Sequence, residues 1–114
     1  MTAPKRYKYN TDVPISTLIK SGFHLVGNTF KFRSTLYRYD NTDQPYVELT
    51  ILIDGDGMTE TVTCNRGDIY IPFINPETRH NNLVYEKVVT NYNNVMDKLC
   101  KAKILRHVKG KHHG

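Results

Sequence analysis

Residues 46–53 constrain the fold more than any other stretch of the chain. Val47, Leu49, Ile51 and Ile53 alternate there with Tyr46, Glu48, Thr50 and Leu52. That period of two belongs to a strand with one face buried, since a helix repeats its apolar positions every three to four residues. Asp54-Gly55-Asp56-Gly57 follows, and glycine reaches the positive φ of a tight hairpin turn without steric cost. The next run, 58–64, therefore returns antiparallel, with Met58, Val62 and Cys64 inward and Thr59, Thr61 and Thr63 outward. Upstream, Phe30, Phe32 and Leu36 alternate with Lys31, Arg33, Thr35, Tyr37 and Tyr39, and a shorter run covers 23–27. Downstream, the turn Asn65-Arg66-Gly67-Asp68 leads to Ile69, Ile71 and Phe73. Together these runs predict an antiparallel meander of four to five strands.

A sheet with one apolar face needs a covering layer. Asp12-Val13-Pro14 supplies an N-cap oxygen and a first-turn proline for a short helix carrying Ile15, Leu18 and Ile19, stopped at Gly22. Asn75-Pro76-Glu77 predicts a second start. Val84, Val88, Tyr92, Val95 and Leu99 then recur at helical spacing, widened by Val89, Met96 and Cys100, so a long amphipathic helix is predicted from 75 to about 105. The fold class is α+β: a short N-terminal helix, the meander, and a long C-terminal helix packed on one sheet face. With 114 residues there is room for one domain, and residues 1–11 and 106–114 are expected to be flexible basic ends.

Charge is divided unevenly. The net charge of +5 conceals nine cations and no acid in the two ends. Lys5, Arg6 and Lys8 lie within 1–11, and Lys98, Lys101, Lys103, Arg106, Lys109 and Lys111 lie within 98–114. The stretch between holds seven Lys and Arg against eleven acids. A polyanion is therefore to be sought at the termini, and Lys5, Arg6, Lys8, Lys98, Lys101, Arg106, Lys109 and Lys111 are the candidate nucleic-acid contacts. No apolar run approaches the roughly 20 residues of a membrane-spanning helix, and the first nine residues are polar and basic. A cytoplasmic protein without a membrane partner is expected.

Motifs with chemical content are few. Asp54-Gly55-Asp56 begins like a calcium loop, but Met58 and Asn65 stand where such a loop needs ligands, so turn chemistry explains it. Arg66-Gly67-Asp68 reads as a turn for the same reason. His107, His112 and His113 fall in the basic end, where neighbouring cations repel a metal. Cys64 and Cys100 lack the spacing of a zinc site and are expected to be buried, inert thiols; pairing either with His24 or His80 would require a cluster assembled by the fold. No phosphate-binding loop, nucleophile elbow or dinucleotide motif is present. The expectation is a protein that is not an enzyme, with no cofactor and no metal site.

The outward sheet face carries the remaining functional content. Lys31, Arg33, Tyr37, Tyr39, Tyr46 and Tyr70 are predicted to share it with the threonines and to form the partner-binding surface. Tyrosine and arginine are enriched where proteins dock, and rings interleaved with cations also stack bases. The leading expectation is a small interaction module with a protein partner, and nucleic acid is the alternative. The size, with the excess of Asn, Lys and Tyr, suits a phage-type inhibitor or adaptor of host machinery. Free sheet edges would also admit a second copy.

Overall fold

The computed structural model describes residues 4–38, 46–55, 57–65, 67–80 and 82–108. In chain order the elements are β1 (Arg6–Tyr9), α1 (Ile15–Lys20), β2 (His24–Val26), β3 (Thr29–Tyr37), β4 (Val47–Asp54), β5 (Gly57–Cys64), β6 (Asp68–Ile69), α2 (Leu83–Lys101) and β7 (Leu105–Val108). Two 3₁₀ turns, Ile71–Phe73 and Pro76–Arg79, join β6 to α2. Strands β2 to β6 form one antiparallel sheet in sequence order, and β1 pairs with β7 in a separate two-stranded ribbon.

The alternation in β4 sets the sheet's inner face. Val47, Leu49, Ile51 and Ile53 are buried, and the hairpin register runs from Val47 opposite Cys64 to Asp54 opposite Gly57. Gly55 sits in the turn with φ of 60°, a left-handed conformation that costs a side chain energy. Helix α2 packs on this face through Tyr85, Val88, Val89, Tyr92, Met96 and Leu99, all buried. Each such side chain contributes about 1.5–3 kcal/mol by leaving water. Among the described residues no helix is long and apolar enough to cross a membrane.

The long helix starts later than its sequence signal suggests. Asn75 does accept a bond from the Glu77 N–H, but it caps a 3₁₀ turn, and the chain is extended again at His80. The Arg79 guanidinium bends the segment by donating to the carbonyls of Pro72 and Phe73 at 2.6 and 3.2 Å and lies over the Tyr85 ring. Asn82 then caps α2, its side chain accepting from the Tyr85 N–H at 2.9 Å.

The helix also ends earlier, at Lys101. Lys103 takes φ of 66°, and the N–H groups of Lys103 and Ile104 donate to Cys100 and Leu99. This is the left-handed stop in which glycine is the usual residue. It turns Ile104 and Leu105 into the core and starts β7. Helix α1 ends in the same way, with Gly22 at φ 104° and the Phe23 N–H on the Leu18 carbonyl. Its N-cap is Pro14, with no side-chain bond, rather than Asp12. Only Leu18 of its three apolar residues is buried.

The expectation of flexible ends is corrected for residues 6–9 and 106–108, which lie in β1 and β7. They pair in register from Arg6 opposite Val108 to Tyr9 opposite Leu105. The ribbon lies against β5 and α2, because Tyr7, Tyr9 and Leu105 turn inward onto the core.

Candidate functional site

The predicted sheet face survives only in part. Lys31, Arg33 and Thr35 lie opposite Leu52, Thr50 and Glu48, on the side away from α2. Thr59, Thr61 and Thr63 continue the same rows on β5. Arg33 donates to Glu48 at 2.6 Å, an ion pair in which Arg33 remains largely exposed. The aromatic residues are placed differently. Tyr70 is 5% exposed and belongs to the core, its ring tilted against Phe73 at 5.8 Å. The chain turns at Asn65 and Gly67, and the Tyr70 N–H donates to Val62, so the ring swings under the sheet.

Tyr37 is displaced by a bulge. The register shifts between Thr35 and Tyr37, which places Tyr37 opposite buried Val47. One extra residue in a strand reverses the facing of everything beyond it. Tyr37 therefore lines a groove of about 650 Å³ between β3 and α2. Asn91 of α2 secures the bulge by donating to the Leu36 carbonyl at 2.7 Å. Tyr46 is half-buried, edge-on to Tyr37 at 6.2 Å. Tyr39 lies outside the described residues, as do Arg66, Lys109 and Lys111.

The basic residues, dispersed in sequence, are gathered by the ribbon. Lys8 lies directly opposite Arg106, and Arg6 is on the same ribbon face. Lys8, Arg106 and Lys103 line one groove of about 760 Å³ with Asp12 as its acid. Lys98 and Lys101 occupy the last turn of α2 beside Asp97. Lys5 shares that acid, paired with Asp97 at 3.7 Å.

One polar cluster went unread in the sequence. Glu60 occupies an inward position between Met58 and Val62, and the Tyr92 hydroxyl donates to its carboxylate. Tyr7 lies edge-on to Tyr92 at 6.1 Å and donates to Asp97 at 3.0 Å. Burial pushes the Glu60 carboxyl up, and the bond from Tyr92 partly opposes this. Burial, then the bond to Asp97, raises the Tyr7 hydroxyl; burial and the neighbouring Glu60 charge raise Tyr92. The available signal was an acid in phase with apolar neighbours on β5.

The sign of the Glu60 shift gives a test. Its folded carboxyl binds protons more readily than the unfolded one, so its stabilising contribution is complete below about 4.5, the unfolded value, and is lost as pH rises through the raised value. Relative to Glu60→Gln, the wild type should lose unfolding free energy between those limits in urea melts. A difference that stays flat or grows with pH would contradict the assignment.

The structure keeps His24 and Cys64 apart. His24 is on edge strand β2, three strands from Cys64 on β5, roughly 14 Å at ordinary strand spacing. Cys64 and Cys100 are partly buried rather than fully so. Both thiols are raised, first by burial and then by Asp68 and Asp97 respectively, which disfavours the reactive thiolate. Among the described residues no group of three or more His, Cys, Asp or Glu could hold a metal.

No family model matches the sequence, and no curated protein is similar to it. Among solved structures, the chain is similar in fold to the crystal structure of a DUF1831 family protein from Lactobacillus plantarum. The two share 17% identity over 95% of this chain and 94% of that one, with a TM-score of 0.70.

Proposed function

We propose that the chain is a non-enzymatic interaction module that takes up an extended segment of a partner protein along β2. The observation that carries this reading is the state of that strand. Among the described residues β2 is an edge, paired with β3 alone, and all three of its residues are exposed, including Leu25 at 59% and Val26 at 60%. An unpaired edge beside exposed aliphatic side chains is a template for strand addition. Ile15 and Ile19 of α1 add two more exposed aliphatics on the preceding element.

The chemistry of the segment follows from the groove beside the edge. It is lined by Gly22, His24, Val26, Lys31 and Arg33, without an acid. Arg33 already serves Glu48, which leaves Lys31 to meet a carboxylate. The partner segment is thus extended, apolar at alternate positions and acidic. In this reading Lys31 of the predicted surface is the contact and Arg33 lines the groove beside it, while Tyr37 and buried Tyr70 have no part.

A photo-crosslinking amino acid at position 26, with position 94 on the exposed side of α2 as control, tests the reading in cells. One protein adduct from position 26 is expected, insensitive to nuclease, absent from position 94 and several-fold weaker in Lys31→Glu. No adduct, equal labelling from both positions, or an adduct of twice the chain's own mass would overturn it; the last would make the partner a second copy.

A further inference from the structure

We propose that the groove between the β1–β7 ribbon and the end of α2 is a phosphate-backbone site for duplex nucleic acid. Two independent features, each unfavourable in isolation, meet there. The first is the cross-strand pair of Lys8 and Arg106. Like charges placed directly opposite on an antiparallel ribbon repel, and most other residues at either position would hold the strands better. The second is Lys103, a non-glycine residue at φ 66° in a helix stop that glycine fills without cost. The helix dipole favours a cation near this end, and Lys98 and Lys101 in the last turn already supply it. The dipole therefore does not account for a left-handed lysine. Positions where local rules are broken together mark function more often than accident.

The three charges are also unspent. Lys8, Lys103 and Arg106 line the same groove, with Asp12 as the acid beside them. Among the described residues none of the three side chains has an ion pair or hydrogen bond. An anion entering the groove would relieve the repulsion that its absence leaves standing.

The arrangement favours a polymer over a single phosphate. Arg6 carries the positive face along the ribbon, two residues beyond Lys8, and with Lys8, Lys103 and Arg106 of the groove makes four cations. It favours a duplex over a single strand because no ring stands between the cations on the outward ribbon face. Tyr7 and Tyr9 pack against the core, Tyr9 reaching only the lining of the groove, which leaves Arg6, Lys8, Arg106 and Val108 outward, whereas single-strand binders add aromatic stacking to their cations. A two-stranded ribbon is also of a size that the major groove of B-form DNA admits. This surface is separate from β2, and its test does not depend on the partner-protein reading.

The experiment uses the full chain and a fluorescein-labelled 20-base-pair DNA duplex, read by anisotropy. Four phosphate contacts predict an affinity that falls roughly a hundredfold between 50 and 200 mM salt. The triple variant Lys8→Thr, Lys103→Gly, Arg106→Thr should flatten the logarithmic salt slope by about 2.7 while melting at or above the wild-type temperature, because each change removes a local strain. A control with equal charge loss, Lys20→Ala, Arg38→Ala, Lys87→Ala, should keep the wild-type slope. The proposal is overturned by any of several results: no binding at 50 mM salt, an equal loss in the control, or a triple variant whose melting temperature falls. Tighter binding to a 20-nucleotide single strand would also overturn it, as would binding to phosphatidylserine vesicles without binding to the duplex.

Discussion

Tyr92→Ala should destabilise the protein by about 3–5 kcal/mol, the range for removing a large buried aromatic side chain. In a domain of 114 residues that lowers the melting temperature by roughly 12–20 °C. The size of the effect follows from what the ring touches. Tyr92 is 3% exposed, edge-on to Phe73 at 5.1 Å and to Tyr7 at 6.1 Å, and its hydroxyl donates to Glu60. It therefore joins the helix to the 3₁₀ turn, the ribbon and strand β5. Tyr92→Phe separates the contributions: it keeps the ring and removes the donor, which should cost about 1–3 kcal/mol for the stranded carboxylate. Thermal melts of the two variants decide the matter. An alanine variant that melts within a few degrees of wild type would show that the ribbon and helix are held without Tyr92.

The elements that were legible in the sequence are those whose local pattern and tertiary environment agree. β4 and β5 bury the expected sides apart from the inward acid Glu60, and the apolar stripe of α2 expected from Val84 to Leu99 faces the sheet, with fully buried Tyr85 an addition to it. The misjudged boundaries have local causes. Asn75 and Asn82 are both competent caps, and Arg79 bends the chain between them by binding backbone carbonyls. At the other end, a lysine stands where glycine would have announced the stop. The ribbon was missed because each of its strands has only four residues, with cations set between tyrosines on β1. Arg6 and Lys8 dominate the local composition, while the period-two placement of Tyr7 and Tyr9 is what docks the strand.

The candidate site followed the same logic in reverse. A count of cations at the two ends implied a polyanion contact, and the pairing of β1 with β7 places Arg6, Lys8 and Arg106 on one face. Nothing in the residues foretold which cations would oppose each other, because register between distant strands is set by packing rather than by local pattern. The tyrosine surface failed for a complementary reason. Its derivation assumed strict alternation from residue 30 onward, and a single bulge, held by Asn91 on the Leu36 carbonyl, reversed the facing of Tyr37.

Tyr70 carries the sharper consequence of that failure. Had it lain on an open binding face, Tyr70→Ala would remove a contact and leave stability within about 0.5 kcal/mol, as ordinary surface substitutions do. Instead the ring is buried beside Phe73, which in turn contacts Tyr85 and Tyr92. Truncation opens a cavity at the junction of β6 with the 3₁₀ turn, where a backbone bond to Val62 positions the residue, and should cost about 3–5 kcal/mol. Arg33→Ala supplies the contrast. Its partner Glu48 is on the uncovered face, and Arg33 itself is 57% exposed beside a Glu48 that is 21% exposed, so its loss should cost about 1 kcal/mol. Melting the two variants side by side should show a large drop for Tyr70→Ala and a small one for Arg33→Ala. Equal, small shifts would return Tyr70 to the surface, while a large drop means that any binding lost in that variant reports unfolding, and only Lys31 and Arg33 test the open face.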